Sequence, residues 1–199
     1  MLDRLRGSLG KALASTGREA SRVVPNPTAW TAVGLLFAVF AFAYYWRGDQ
    51  AIGGVLLAAS GLFDVLYGAV ARATGRTSDR GAFLDSTLDR VSEVMIFLGI
   101  LLGAYVDPLL VLLALASSLL VSYTRAKGDA LGVNLAGLGI GERSERLLVL
   151  IVSSLAGVVG IGVAIVAVLA LVTFVQRTLA VSGELGARRK VPDAPTTMP

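Results

Sequence analysis

Asp64-Val65-Leu66-Tyr67-Gly68-Ala69-Val70-Ala71-Arg72, followed by Gly81, Asp85 and Asp89, sets the reading of this chain. It places three carboxylates and an arginine at the ends of two apolar helices. Ionisable groups at a membrane boundary are costly and mark a functional site by default. Positions 64, 67, 68, 71 and 72 follow the i, i+3, i+4, i+7, i+8 rhythm of one helix face. Asp85 and Asp89 stand one turn apart on a second helix. Packing of the two helices through Gly68, Ala71 and Gly81 is expected to gather the carboxylates around a hard divalent cation.

The rest of the chain reads as an all-α integral membrane protein. Of its 199 residues, 55% are hydrophobic, and mean hydropathy is +0.73. That is too apolar for an ordinary soluble domain. Apolar runs long enough to cross a bilayer are expected over 28–46, 51–72, 82–104, 108–127, 144–160 and 162–181. The last two touch at Gly157 to Gly162. The six spans make one membrane domain, 25–183. Residues 1–24 read as a juxtamembrane amphipathic helix, with Leu2, Leu5, Leu9 and Leu13 near one face and Arg4, Arg6 and Lys11 elsewhere. Pro25-Asn26-Pro27-Thr28 ends that element. Residues 184–199, with Arg188-Arg189-Lys190 and three prolines, read as a disordered basic tail. The first apolar run follows a polar stretch, so no cleavable signal peptide is expected.

Charge sets the orientation. Nearly every Lys and Arg falls in 1–27, 72–81, 125–146 and 177–199, while 46–50, 104–108 and 157–162 hold only Arg47. The positive-inside rule puts both termini and the Asp-rich site on the cytoplasmic side of a cell membrane. The net charge of +4 is read as topology and attraction to anionic lipid. The basic residues form no continuous stripe, which argues against a nucleic-acid partner. There is no cysteine and no histidine. Disulfides, thiolate chemistry, imidazole catalysis and the usual zinc ligands are excluded. Any metal is Mg²⁺ or Mn²⁺, which oxygen ligands suit.

The spacing of the opening stretch resembles the signature of the CDP-alcohol phosphotransferase family, D-x2-D-G-x2-A-R-x8-G-x3-D-x3-D. Seven of its eight fixed residues are present; Tyr67 stands where the family has its second Asp. The resemblance implies transfer of a phosphatidyl-type group from a CDP-linked lipid, built on diacylglycerol or archaeol, to an alcohol, with release of CMP. It implies a two-metal Mg²⁺ or Mn²⁺ site in which Asp64 and Asp85 touch both ions and Asp89 binds one and acts as general base. Arg72 would hold a phosphate, and Gly68, Ala71 and Gly81 would let the nucleotide approach. Pro27, Thr28 and Ser78 are further nucleotide candidates. The family usually forms homodimers, and small residues along the third and fourth spans permit one. Tyr67 weakens one metal position, because a phenol with a pKa near 10 is a poor ligand. Glu93, one turn beyond Asp89, is a candidate to fill the gap.

A second cluster points to the acceptor. Ser122, Arg125 and Lys127 end the fourth span, Arg143 and Arg146 lie in Glu142-Arg143-Ser144-Glu145-Arg146, and Arg177 ends the sixth. The arrangement resembles the acceptor-phosphate pocket of the family's inositol-phosphate-using branch, the phosphatidylinositol phosphate and archaetidylinositol phosphate synthases. Ordinary positive-inside charge is the competing account of the same residues. Gly137-x-Gly139-x-Gly141 lacks the strand–loop–helix setting of a phosphate loop and reads as a flexible connection. Trp30, Tyr44, Tyr45 and Trp46 fit an aromatic belt. Two rival functions stand beside the enzyme: a transporter using membrane carboxylates, and a catalytically silent scaffold motivated by Tyr67.

Overall fold

The computed structural model describes residues 15–188, and all elements among them are helical. They are α1 (15–23), α2 (Pro27–Trp46), α3 (Gln50–Thr74), α4 (Asp79–Leu102), α5 (Pro108–Ala130), α6 (Arg143–Leu155) and α7 (Val159–Arg188). The ends are written in the sequence. Asn26, Asp49, Ser78 and Asp107 cap α2 to α5, each accepting a backbone N–H of the first turn. Pro27 and Pro108 occupy the first turns of α2 and α5, where a missing N–H costs nothing. Gly75, at φ 64°, ends α3 in the left-handed conformation glycine allows.

Helices α2, α3, α5 and α7 are long and apolar enough to cross a membrane. The other two expected spans differ for separate reasons. α4 has the length, but its first half carries Asp79, Arg80, Asp85, Asp89 and Arg90. α6 has only 13 residues. The last two helices meet at Ala156 to Val158, with Gly157 at φ 76°. The Gln50 side chain braces this turn from α3, donating to Gly157 O at 2.9 Å and accepting from Val159 N–H at 3.0 Å.

One chain-end expectation shifts. α7 runs on through residues 184–188, which the sequence assigned to a tail. Arg188 holds that end by pairing with Glu184 at 2.6 Å and donating to Leu131 O and Gly132 O. Residues 189–199 lie outside the described residues, as do 1–14 with Leu2, Leu5, Leu9 and Leu13. Within α1, Gly17 is buried against α3, where an added Cβ would stand 2.5 Å from Ala69 O.

The principal packing partners close a ring in the order α2, α3, α6, α7, α5, α4 and back to α2. α3 and α4 therefore each lean on α2 more than on each other, unlike the direct contact expected through Gly68, Ala71 and Gly81. Gly68 faces Arg72 of its own helix instead. The core fills the ring with Ala38, Ala41, Tyr45, Leu57, Phe97, Ile100, Leu150, Val163 and Val166. Tyr45 is not a belt residue. It shares the buried face of α2 with Ala38 and Ala41, and its hydroxyl meets Ser154 Oγ at 2.7 Å. A buried phenol needs such a partner. Large apolar side chains such as Leu36, Leu109 and Val168 point outward and are exposed, the pattern of a surface that meets lipid.

Candidate active site

The carboxylates of α3 and α4 reach one end of the ring on either side of α2. Thr31 of α2 donates from Oγ1 to Asp85 Oδ1 at 3.4 Å. Gly34, one turn further along, leaves the space that Asp64 uses: a Cβ there would lie 3.3 Å from Asp64 Oδ1. Ser60 Oγ donates to Gly34 O at 2.9 Å and fixes α2 against α3. Asp64, Asp85 and Asp89 are close enough to act on one another electrostatically.

Arg143, the first residue of α6, enters this cluster. Its NH1 donates to Asp64 Oδ2 at 2.7 Å, and its NH2 lies 3.0 Å from Asp89 Oδ1. All three side chains are at least three-quarters buried. One guanidinium thus bridges a carboxylate of α3 and one of α4. The sequence placed Arg143 with the acceptor cations; the structure places it among the acids. Asp89 Oδ2 also lies 3.5 Å from Arg90 NH1.

With Arg143 between them, no group of three or more acidic residues among those described stands at metal-holding spacing. The donor set still fits a hard divalent ion. It consists of carboxylate oxygens alone. Asp89 Oδ1 is buried without a hydrogen bond, its contact with Arg143 being an ion pair of poor hydrogen-bond geometry. Such an atom has unspent acceptor capacity. Tyr67 reaches toward the start of α4: a Cβ on Gly81 would lie 3.1 Å from both Tyr67 Oη and Ser78 Oγ. Ser78 Oγ is already accepting from Gly81 N–H as the α4 cap. Thr28 N–H donates to Asn26 Oδ1, Pro27 is buried at the start of α2, Ala71 is buried, and Arg72 is exposed.

The other predicted cations lie along α5, α6 and α7, and each arginine has an acidic partner. Arg177 is 2% exposed. It donates to Leu138 O at 2.9 Å, to Val121 O at 3.1 Å and to Glu142 Oε1 at 3.1 Å. Arg125 approaches the same Glu142 oxygen at 3.9 Å. Arg146, also 2% exposed, donates to Gly141 O at 2.7 Å and to Glu93 Oε1 at 2.8 Å. Glu93 is thus engaged by Arg146 at 2.8 Å. Beside this pair, a cavity lined by Ser60, Ser92 and Leu147 has about 20 Å³ for water centres, room for one molecule. Glu93 Oε2 and Arg146 Nε, both buried without hydrogen bonds, are the atoms it would serve. Ser122 donates to Ser118 O within α5, and Lys127 is exposed.

The glycine-rich connection before α6 is docked on α7. Gly141 N–H donates to Thr173 Oγ1 at 2.9 Å, and a Cβ on Gly141 would stand 2.8 Å from Leu169 O. Gly137 and Gly139 have φ of 73° and 114°. The glycines allow close approach and left-handed backbone here, and Val133 and Leu135 bury themselves beneath. Sequence reading missed Thr31, Gly34, Glu142 and Thr173 as parts of the site. Only Glu142 left a signal, as the acidic member of Glu142-Arg143-Ser144-Glu145-Arg146.

Four helices long and apolar enough to cross a membrane, with acids and arginines gathered at one end of the ring, give the class of a polytopic membrane protein with a charged site. The chain belongs to the CDP-alcohol phosphatidyltransferase family, whose model matches residues 23–176. It is 37% identical over 177 residues to an archaetidylinositol phosphate synthase of Pyrococcus horikoshii, covering 89% of this chain and 94% of that one. A phosphatidylinositol phosphate synthase of Streptomyces avermitilis is 39% identical over 162 residues, covering 72% and 66%. The Mycobacterium tuberculosis phosphatidylinositol phosphate synthase, solved with CDP-DAG bound, superposes with TM-score 0.76 at 27% identity, covering 95% of this chain and 99% of that one. The same mycobacterial enzyme has been solved with manganese and citrate, TM-score 0.75 at 28% identity, covering 94% and 93%.

Proposed function

We propose that this chain moves a lipid phosphate group from a CDP-linked lipid to a myo-inositol phosphate and releases CMP. The observation that carries the proposal is the meeting of Asp64 and Asp89 with Arg143 of α6, while Arg125 of α5 and Arg177 of α7 converge on Glu142, the residue just before it. Its similarity to two inositol-phosphate lipid synthases supports the acceptor. The acceptor hydroxyl oxygen attacks the β-phosphorus of the diphosphate. The new P–O bond forms as the bridging P–O bond to CMP breaks, and Asp89 takes the hydroxyl proton. Asp64, Asp85 and Asp89 would hold Mg²⁺ or Mn²⁺, which when bound neutralises diphosphate charge. Arg72 grips a donor phosphate, with Gly68, Ala71 and Gly81 giving the nucleotide room beside Pro27, Thr28 and Ser78. Ser122, Arg125, Lys127, Arg146 and Arg177 supply hydrogen bonds and positive charge for the acceptor phosphate.

In this reading α4 and α6 complete six membrane-crossing elements, both termini and the site face the cytoplasm, and the protein works as a homodimer. Tyr67 leaves one metal position weak. The test is mass spectrometry of lipid products from purified protein, a CDP-linked lipid, Mg²⁺ or Mn²⁺, and a panel of alcohols. An inositol-phosphate lipid formed in step with CMP is the expected product. CMP release that ignores inositol phosphate but follows another alcohol would reassign the acceptor. No lipid product with any alcohol would remove the enzyme reading.

A further inference from the structure

We infer that Glu142 sets acceptor specificity: its carboxylate accepts a hydroxyl of the polyol and turns away anions that bring phosphate without one. The inference rests on the phosphotransfer reading above and concerns the acceptor side of that site. Glu142 stands at the N-cap position of α6, with extended backbone at φ −66° and ψ 172°. A carboxylate there ordinarily accepts a first-turn N–H. This one makes no capping hydrogen bond. It turns instead to the cations. Its Oε1 accepts from Arg177 NH2 at 3.1 Å and faces Arg125 NH1 at 3.9 Å.

Two features separate this carboxylate from a simple counter-ion. A counter-ion serving Arg177 alone gains most when water is excluded from it. Arg177 keeps only 2% of its side chain exposed, while Glu142 keeps 30% and Arg125 keeps 45%. Glu142 and Arg125 therefore remain within reach of a molecule arriving from solution. The Arg125 contact is too long for a hydrogen bond, so that guanidinium keeps its donors for a phosphate. Both contacts fall on Oε1, and a carboxylate offers about four acceptor sites, so a hydroxyl can still be received. The next residue, Arg143, is held by Asp64 and Asp89, and consecutive Cα atoms lie about 3.8 Å apart. Glu142 thus stands between the acids and the Arg125–Arg177 pair. A ring with its phosphate on those cations and its attacking hydroxyl at Asp89 passes the Glu142 carboxylate. A negative group beside a phosphate pocket raises the cost of every anion; only an acceptor with hydroxyls to donate recovers it.

The experiment follows CMP release by the full-length detergent-purified protein with the CDP-linked lipid saturating. It reads the KM for inositol phosphate and the inhibition constants of cyclohexyl phosphate, which has ring and phosphate without free hydroxyls, and of inorganic phosphate. The wild type should prefer inositol phosphate to cyclohexyl phosphate by at least about ten-fold. Glu142→Gln should bind inorganic phosphate about three- to ten-fold more tightly, a like charge having gone. In the same variant the preference for inositol phosphate over cyclohexyl phosphate should shrink about ten-fold. The two esters carry the same phosphate, so their ratio isolates the hydroxyl contact. A role confined to holding Arg177 would move both alike and leave the ratio unchanged. An unchanged ratio in a Glu142→Gln protein that melts as the wild type does would overturn the inference. So would unchanged or weaker inhibition of that variant by inorganic phosphate, or a folded variant that releases no CMP. Equal binding of the two esters by the wild type would overturn it too, and that measurement needs no variant to fold. A wild type that makes lipid from another alcohol but none from inositol phosphate would instead remove the acceptor reading itself.

Discussion

Replacing Arg177 by alanine tests the acceptor side most directly. The guanidinium makes three hydrogen bonds inside the protein, to Leu138 O, Val121 O and Glu142 Oε1. Two tie the loop before α6 and the middle of α5 to α7, and the third fixes the carboxylate that also faces Arg125. Hydrogen bonds from a charged donor are worth about 1.5–3 kcal/mol each, and they do not add fully. Glu142 keeps 30% of its side chain exposed, so water recovers much of that one. A total loss of about 3 kcal/mol in stability follows from the two carbonyls and a discounted ion pair. The acceptor effect is separate. If Arg177 supplies one charged hydrogen bond to the inositol phosphate, its removal raises the KM for that substrate by about ten- to a hundred-fold. The KM for the CDP-linked lipid should move less than about three-fold, because the proposed donor site lies at the α3–α4 side of the ring. The assay is CMP release, with each substrate varied while the other saturates. Equal increases in both KM values would refute the reasoning and leave Arg177 as a clamp alone. Arg177→Lys, which keeps charge but not the fork, should fall between wild type and alanine.

Arg146→Met should strand Glu93 as a buried carboxylate and cost about 3–5 kcal/mol, read as loss of folded protein in a detergent melt; Arg146→Met with Glu93→Gln should recover part of it. Tyr45→Phe removes one buried hydroxyl contact to Ser154 and should cost about 1 kcal/mol. Ser154 keeps its bond to Leu150 O, so a much larger loss in the same melt would contradict this account. Chelation by EDTA should abolish CMP release, and Mg²⁺ or Mn²⁺ should restore it; full activity after exhaustive chelation would exclude a divalent ion. Gly139→Ala should lower stability, because φ there is 114° and the new methyl would collide with Thr173.

Much of this was legible because membrane helices announce themselves through composition. The starts of α2 to α5 coincide with Asn26, Asp49, Ser78 and Asp107, residue types favoured at the start of a helix, a signal the sequence reading did not use. The acids were legible through helical spacing. Their partners were not. Thr31 and Gly34 sit on α2, in an apolar run that gives no hint of a polar neighbour; only the ring order brings them to Asp85 and Asp64. Arg143 was visible as a cation but not as a bridge, because spacing along α6 separates it from Arg146 without saying which face meets α3. Tyr45 was misplaced for a similar reason. Aromatics at the end of a span suit the headgroup region, and nothing local distinguishes one turned inward toward Ser154. The glycines before α6 signal freedom in sequence, yet Thr173 and Leu169 use the missing side chains for close packing.

The brevity of α6 has a consequence for how water and oil divide around the protein. Thirteen residues rise about 20 Å, against roughly 30 Å for the hydrocarbon layer. In the six-span arrangement proposed above, the bilayer on that flank would have to thin or admit solvent along the arginine-bearing loop. In that arrangement a sugar phosphate arriving from the aqueous phase would descend to a headgroup still anchored by its acyl or isoprenoid tails. The short strut gives two reactants of opposite solubility a common floor.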